Sequence, residues 1–138
     1  MKTLLTALTT FAACQAVRRN LEDPQRPERD YAGGRVTLTA LRNEGAAFGL
    51  PVPMKVVAGA SVGALALLWA RRRKAPVSTG LVLGGGLSNL LERVRDGGVF
   101  DYLRFPKAPG KVRDYVFNLA DLAVFAGAAG LVFFRRRK

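Results

Sequence analysis

Four apolar stretches, each set off by charged or turn-forming residues, divide the chain. They occupy residues 3–17, 54–70, 75–91 and 115–134. A helix crossing the hydrocarbon core of a bilayer needs roughly 17–25 mainly apolar residues, and these stretches approach that length. The first is short and rich in Thr and Ala. The third contains Gly84-Gly85-Gly86, and the fourth contains one acid, Asp121. Gly80, Gly84, Gly127 and Gly130 recur in the last two stretches, where small residues let helix backbones approach closely. The pattern changes between the first two stretches. Glu22-Asp23-Pro24-Gln25-Arg26-Pro27 reads as a turn-rich loop. Residues 35–41 alternate and are β-branched, which predicts a short strand. Pro51 and Pro53 then precede the second stretch, a position where proline suits a helix start. The expected fold class is an all-α integral membrane protein with four transmembrane helices and a small β-containing element outside the membrane. One domain covers residues 1–138.

Charge orients this arrangement. The chain is 49% apolar yet carries a formal net charge of +12. In a soluble domain that balance suggests nucleic acid binding, but here the charges are clustered. Lys2, the run Arg71-Arg72-Arg73-Lys74 and the run Arg135-Arg136-Arg137-Lys138 fall on one side of a four-span arrangement. The ten acids lie in the other connections or in the helix ends beside them. The excess of Lys and Arg in cytoplasmic segments of membrane proteins puts both termini in the cytoplasm, and residues 18–53 and 92–114 outside. The basic runs then read as topology anchors, and no nucleic acid partner is expected. Lys2 followed by an apolar stretch ending Phe11-Ala12-Ala13-Cys14 has the look of a cleavable lipoprotein leader. Its removal would leave three spans and put the basic runs on opposite sides, so it is read as a retained helix.

The chain has no histidine and one cysteine, Cys14. A Cys/His zinc site, an internal disulfide and a histidine-based triad are excluded. No metal or cofactor is expected. Ionisable groups within a membrane protein mark functional sites by default. Three polar clusters sit at the outer helix ends: Asn43-Glu44-Gly45-Ala46-Ala47-Phe48-Gly49; Asn89-Leu90-Leu91-Glu92-Arg93, followed by Gly97-Gly98-Val99-Phe100-Asp101-Tyr102; and Phe117-Asn118-Leu119-Ala120-Asp121. The spacing puts Asn89, Glu92 and Arg93 on a shared helix face, and Asn118 and Asp121 three residues apart. Asp121 is expected about two turns, roughly 10 Å, inside the fourth span. If Asp101 folds back to meet it, two carboxylates can share a proton, one acting as base toward water while the other polarises a carbonyl. Plainer roles stand beside this one. Asn118 can be a helix cap, Asp121 an ion-pair partner of Arg93 or Arg113, Asp101 a turn residue, and Cys14 a small buried apolar residue.

Taken in order, Asn43-x-Gly45-Ala46-Ala47-Phe48, then Gly85/Gly86…Asn89-x-x-Glu92-Arg93…Gly98-x-x-Asp101-Tyr102, then Phe117-Asn118-x-Ala120-Asp121 resemble the motifs of the signal peptidase II family over about residues 14–127. The resemblance implies an aspartic endopeptidase that removes the signal peptide from prolipoproteins just before a diacylglyceryl-modified cysteine. It implies Asp101 and Asp121 as the catalytic pair, with Asn43, Asn89, Arg93, Asn118 and Glu92 supporting the site or the substrate. It also implies a β-containing cradle and flap over the site, and inhibition by globomycin-type peptides. The expected partners are a lipid-modified prolipoprotein and membrane lipids. The expected location is multi-pass in the bacterial inner (cytoplasmic) membrane, as a monomer with its active site near the extracytoplasmic face. Two positions depart from the pattern. Glu92 stands where the family usually has Asp, and Cys14 precedes Gln15 where the family usually has Asp. They motivate the alternative of a non-catalytic relative that binds lipoprotein precursors or a membrane partner. A small transporter or channel subunit is a third reading.

Overall fold

The structure is a computed structural model that describes residues 1–23, 25–44, 52–70 and 72–136. Gly45 to Gly49 of the first polar cluster, Pro24, Pro51, Arg71 and the last two basic residues lie outside the described residues. Among the described residues four helices form: α1 (Lys2–Leu21), α2 (Met54–Ala70), α3 (Pro76–Asp96) and α4 (Leu119–Arg136). Four strands join them: β1 (Arg29–Tyr31), β2 (Val36–Asn43), β3 (Val99–Arg104) and β4 (Val116–Phe117), with a 3-10 turn at Gly110–Asp114.

Helix α3 is the hub, packed against α1, α2 and α4. Its glycines make this possible. A Cβ on Gly84 would meet the Ala7 carbonyl oxygen at 2.5 Å, and one on Gly85 would meet the Ala120 carbonyl oxygen at 2.6 Å. Consecutive residues point about 100° apart on a helix, so neighbouring glycines admit α1 on one side and α4 on the other. Pro76 starts α3, where its missing N–H is no loss. Gly97 ends it in the left-handed conformation (φ 72°), with its N–H donating to the Arg93 carbonyl.

The sheet is antiparallel in the order β1-β2-β3-β4. The strand read at residues 35–41 exists but extends to Asn43, with a register shift between Leu38 and Leu41. Its three partner strands were not expected from sequence. Helices α1 and α3 run toward the sheet, and α2 and α4 run away from it. At the opposite end, the Thr3 hydroxyl lies 3.4 Å from the Arg72 carbonyl. The N-terminus and the turn between α2 and α3 are therefore neighbours.

Among the described residues no helix is long and apolar enough to cross a membrane. The physical reasons differ. α2 is the most apolar but has 17 residues. α1 holds Lys2, Arg18 and Arg19, and α4 holds Asp121, Arg135 and Arg136. What stands of the expected fold is four helices and a small antiparallel sheet.

Candidate active site

The site is built where β3 and the start of α4 come together against α3. Side chains alternate across a strand, and in β3 this turns Val99 and Asp101 into a cavity while Phe100 and Tyr102 stack behind, ring centroids 5.8 Å apart. Asp101 is opposite Leu41 of β2 and is 4% exposed.

The start of α4 corrects the sequence reading. The fourth helix begins at Leu119, not at 115, because Val116 and Phe117 pair with Arg104 and Leu103 as a strand. Asp121 therefore lies in the first turn of α4 rather than two turns deep. Asn118 caps that turn. Its Oδ1 accepts the Asp121 N–H at 2.8 Å, while Asp121 Oδ2 accepts the Asn118 N–H at 3.0 Å. This reciprocal pair is a capping box.

The same side chains join the two carboxylates. Asn118 Nδ2 donates to Asp101 Oδ1 at 3.0 Å and to Asn89 Oδ1 at 3.0 Å. Asn89 Nδ2 in turn donates to Asp121 Oδ1 at 2.9 Å. Asn43 Nδ2, at the end of β2, approaches Asp101 Oδ2 at 3.3 Å. Two asparagines thus bridge Asp101 to Asp121, using both amide protons of Asn118. Burial pushes the Asp101 carboxyl up to about 7; the Asp121 charge adds to the rise, while Asn43, Asn118 and the Arg93 charge oppose it.

Both aspartates, Asn43, Asn89 and Arg93 line one cavity of about 520 Å³. Its apolar walls are Val57 of α2 and Val124 and Phe125 of α4, with Ser61 beside Val57. The Arg93 Nε atom is buried and makes no hydrogen bond among the described residues. Asp121 forms no ion pair there with Arg93 or Arg113, and Arg113 faces Asp114 at 3.9 Å. Among the described residues no cluster of three or more acids or cysteines could hold a metal.

Glu92 departs from the expected shared face. It does not line the cavity. It accepts the Phe100 N–H at 3.0 Å and lies 3.2 Å from Arg18 Nε. Positions three and four residues on from Asn89 differ by about 100° around the helix, so Arg93 follows Asn89 into the cavity and Glu92 turns toward α1. Glu44 is exposed, 3.7 Å from Arg42. Cys14 is buried, and its neighbour Gln15 donates to the Ser88 hydroxyl at 2.9 Å. Sequence reasoning missed two contributors. The Tyr102 hydroxyl accepts the Leu119 N–H at 2.9 Å, and Arg18 of α1 pairs with Glu92 and Asp96 of α3. No spacing rule links Tyr102 to Leu119 or Arg18 to α3, since those partners are distant in the chain.

The chain is similar to known proteins over most of its length. A sequence profile described as Signal peptidase (SPase) II matches residues 6–135. The lipoprotein signal peptidase of Halothermothrix orenii is 38% identical over 104 residues, 70% of this chain and 68% of that protein. That of Moorella thermoacetica is 34% identical over 137 residues, covering 92% and 87%. A solved structure described as a bacterial membrane enzyme superposes with a TM-score of 0.83 over 98% of this chain and 87% of that one, at 20% identity. The profile spans nearly the whole chain, both aspartates fall within it, and relatives align over most of their own length: this chain belongs to the signal peptidase II family.

Proposed function

We propose that the chain is an aspartic endopeptidase that removes the signal peptide from prolipoproteins, cutting just before the diacylglyceryl-modified cysteine, with Asp101 and Asp121 as its catalytic pair. One observation carries this reading: two carboxylates from separate elements line one cavity and are bridged by Asn118 and Asn89. The chemistry follows from their settings. Asp101, pushed up to about 7, holds the proton and donates it toward the scissile carbonyl oxygen. Asp121 accepts a proton from water, which attacks the carbonyl carbon, and the proton then passes to the leaving amine. Asn43, Asn89, Asn118 and Arg93 orient the pair and the peptide. No metal or cofactor takes part.

The cavity walls fit a substrate that arrives from the bilayer. The polar floor meets the peptide bond, and the apolar side between α2 and α4 meets the signal helix and acyl chains. In this reading the four helices span the membrane of a bacterial cell. The sheet end lies outside and the end carrying Lys2 and Arg72-Arg73-Lys74 lies in the cytoplasm. The chain acts as a monomer among membrane lipids, without nucleic acid. The test is cleavage of a purified diacylglyceryl-modified prolipoprotein in detergent. Asp101→Asn and Asp121→Asn should each abolish it. Undiminished turnover in either variant overturns the pair, and a wild type that binds the precursor without cutting it is instead a non-catalytic relative.

A further inference from the structure

The candidate active site leaves the opposite end of the bundle unused. Lys2, Arg72, Arg73, Lys74, Arg135 and Arg136 belong to that end, while all ten acids belong to the sheet end. Packing brings the three basic segments together. The start of α3 is clasped from both sides: a Cβ on Gly80 would meet the Thr3 carbonyl oxygen of α1 at 2.8 Å, and a Cβ on Gly127 of α4 would meet the Ser78 carbonyl oxygen at 2.6 Å. Antiparallel to α3, α4 runs on from Gly127 for about 12 Å to Arg135, past the start of α3 at Pro76. The turn between α2 and α3 is held at the same place. The Thr3 hydroxyl lies 3.4 Å from the Arg72 carbonyl, Arg72 Nη1 donates to the Trp69 carbonyl at 2.9 Å, and the Arg72 guanidinium covers the Trp69 ring at 4.4 Å. Lys2, Arg73 and Lys74 are exposed. Among the described residues neither they nor Arg72 form an ion pair.

We infer that this end is a docking surface for anionic phospholipid headgroups of the phosphatidylglycerol class; the inference rests on the proposed reading that the helices span a membrane. The sign of the charge orients such a chain. The convergence of three separate segments, with no acid among them, does more: it makes one face of high positive potential. A headgroup with net negative charge gains from it where a zwitterionic one does not, by roughly fivefold in partition for each basic residue near the lipid surface. Two further features set the level of contact. Trp69, 42% exposed, is the chain's one tryptophan, and amphipathic aromatic rings collect at the headgroup level. α2 ends beside it after 17 residues, a rise of about 25 Å against a hydrocarbon core of about 30 Å. A span that short draws its ends toward the headgroups, so the basic residues here meet lipid phosphates. A nucleic acid also offers phosphate, but no hydrocarbon beside it for the apolar helix walls.

Trp69 is also the probe. The full chain, purified in detergent, is reconstituted into vesicles of equal parts phosphatidylglycerol and phosphatidylcholine, with one lipid or the other carrying brominated acyl chains that quench a nearby tryptophan. Brominated phosphatidylglycerol should quench Trp69 as though enriched about threefold or more over brominated phosphatidylcholine. Combining Arg73→Gln, Lys74→Gln, Arg135→Gln and Arg136→Gln should bring that ratio to about one, and about 0.5 M salt should lower it in the wild type. Arg19→Gln with Arg29→Gln, exposed at the sheet end, should leave it unchanged. If the quadruple variant does not fold, Arg73→Gln with Lys74→Gln decides together with the salt titration. Equal quenching by the two lipids, a preference that survives the substitutions and salt, or a preference abolished by adding an RNA oligonucleotide overturns the inference. Cleavage of a diacylglyceryl-modified precursor by the same preparations then leaves the proposed function standing. Quenching by neither lipid overturns the membrane-spanning reading along with it.

Discussion

Asn118 and Asp121 satisfy each other's hydrogen bonds at the start of α4: the Asn118 side chain accepts the Asp121 N–H at 2.8 Å, and the Asp121 carboxylate accepts the Asn118 N–H at 3.0 Å. The structural cap and the candidate catalytic group are therefore the same pair. Asp121 gains its orientation from the helix terminus, and the remaining Asn118 amide protons point at Asp101 and Asn89. The cap anchors one end of a bridge between the two carboxylates.

Two substitutions at Asn118 separate these roles. Serine is as good a cap as asparagine, but it has no amide to donate to Asp101 and Asn89. Asn118→Ser should melt close to wild type and lose activity, by about tenfold to a hundredfold for one hydrogen bond to a charged or reacting group. Asn118→Ala should lose the same activity and, in addition, about 1 kcal/mol of stability. Thermal melts and turnover of the two variants, measured side by side, check this. Wild-type turnover in Asn118→Ser would assign the residue a capping role alone.

The Asp101 carboxyl makes stability and activity depend on pH in the same direction. In the unfolded chain it loses its proton near its ordinary value of 3.8; in the folded chain burial raises this to about 7. Between those values the folded state binds one proton more than the unfolded state, so stability falls as pH rises through the window, by up to about 4 kcal/mol. Asp101→Asn cannot titrate. It should raise Tm relative to wild type at about pH 8, with the difference closing at about pH 5. Wild-type kcat/KM should fall as pH rises above about 7, as the proton-donating carboxyl ionises. A Tm difference of equal size at both pH values would remove Asp101 as the titrating group.

Tyr102 supports the helix start from the other side. Its hydroxyl, on a residue 3% exposed, accepts the Leu119 N–H at 2.9 Å, one of the donors that the first turn of a helix leaves without an intrahelical partner. Tyr102→Phe leaves that N–H buried and unpaired, at a cost of about 1–3 kcal/mol. The substitution removes one atom, so packing is kept. The expected result is a lower Tm together with reduced kcat, since Leu119 sits two residues before Asp121. Unchanged melting would mean that water reaches this N–H.

Which polar residues gather at the candidate site was legible in the sequence, whereas the depth of the site and its linkage were not. Asn43, Asn89, Arg93, Asp101 and Asp121 all face one cavity, as the clustering of polar residues at outer helix ends suggested. The four helices were legible because apolar runs of this length leave few alternatives. Their ends were not. Val116 and Phe117 extend an apolar run that periodicity assigns to α4, yet they pair with β3, and only Asn118 marks the true start. Glu92 shows the same limit. A spacing of three residues groups it with Asn89, but its place about 100° from Arg93 turns it to α1, where Arg18, distant in the chain, meets it. Strands β3 and β4 escaped notice because they are short and depend on partners distant in sequence for their hydrogen bonds.

Helix packing and chemistry meet at Gly85. A Cβ at this position would lie 2.6 Å from the Ala120 carbonyl oxygen, 3.1 Å from Val124 Cγ2 and 3.3 Å from Ala123 Cβ. The obstruction is backbone, so α4 itself must move. Ala120 directly precedes Asp121, and Asn89, which holds Asp121, lies one turn beyond Gly85 on the same side of α3. Gly85→Ala should therefore cost about 1–3 kcal/mol from overpacking. It should also lower kcat by up to about a hundredfold, the scale of a 1 Å misplacement of a reacting group. Gly59 of α2 is the control: among the described residues a Cβ there meets nothing within 4 Å. Gly59→Ala should leave turnover unchanged and raise stability by about 0.5–1 kcal/mol, because alanine orders a helix at lower entropic cost. If Gly85→Ala melts lower but turns over like wild type, the contact between α3 and α4 serves stability alone, and the placement of Asp121 is set by its cap rather than by the approach of the two helices.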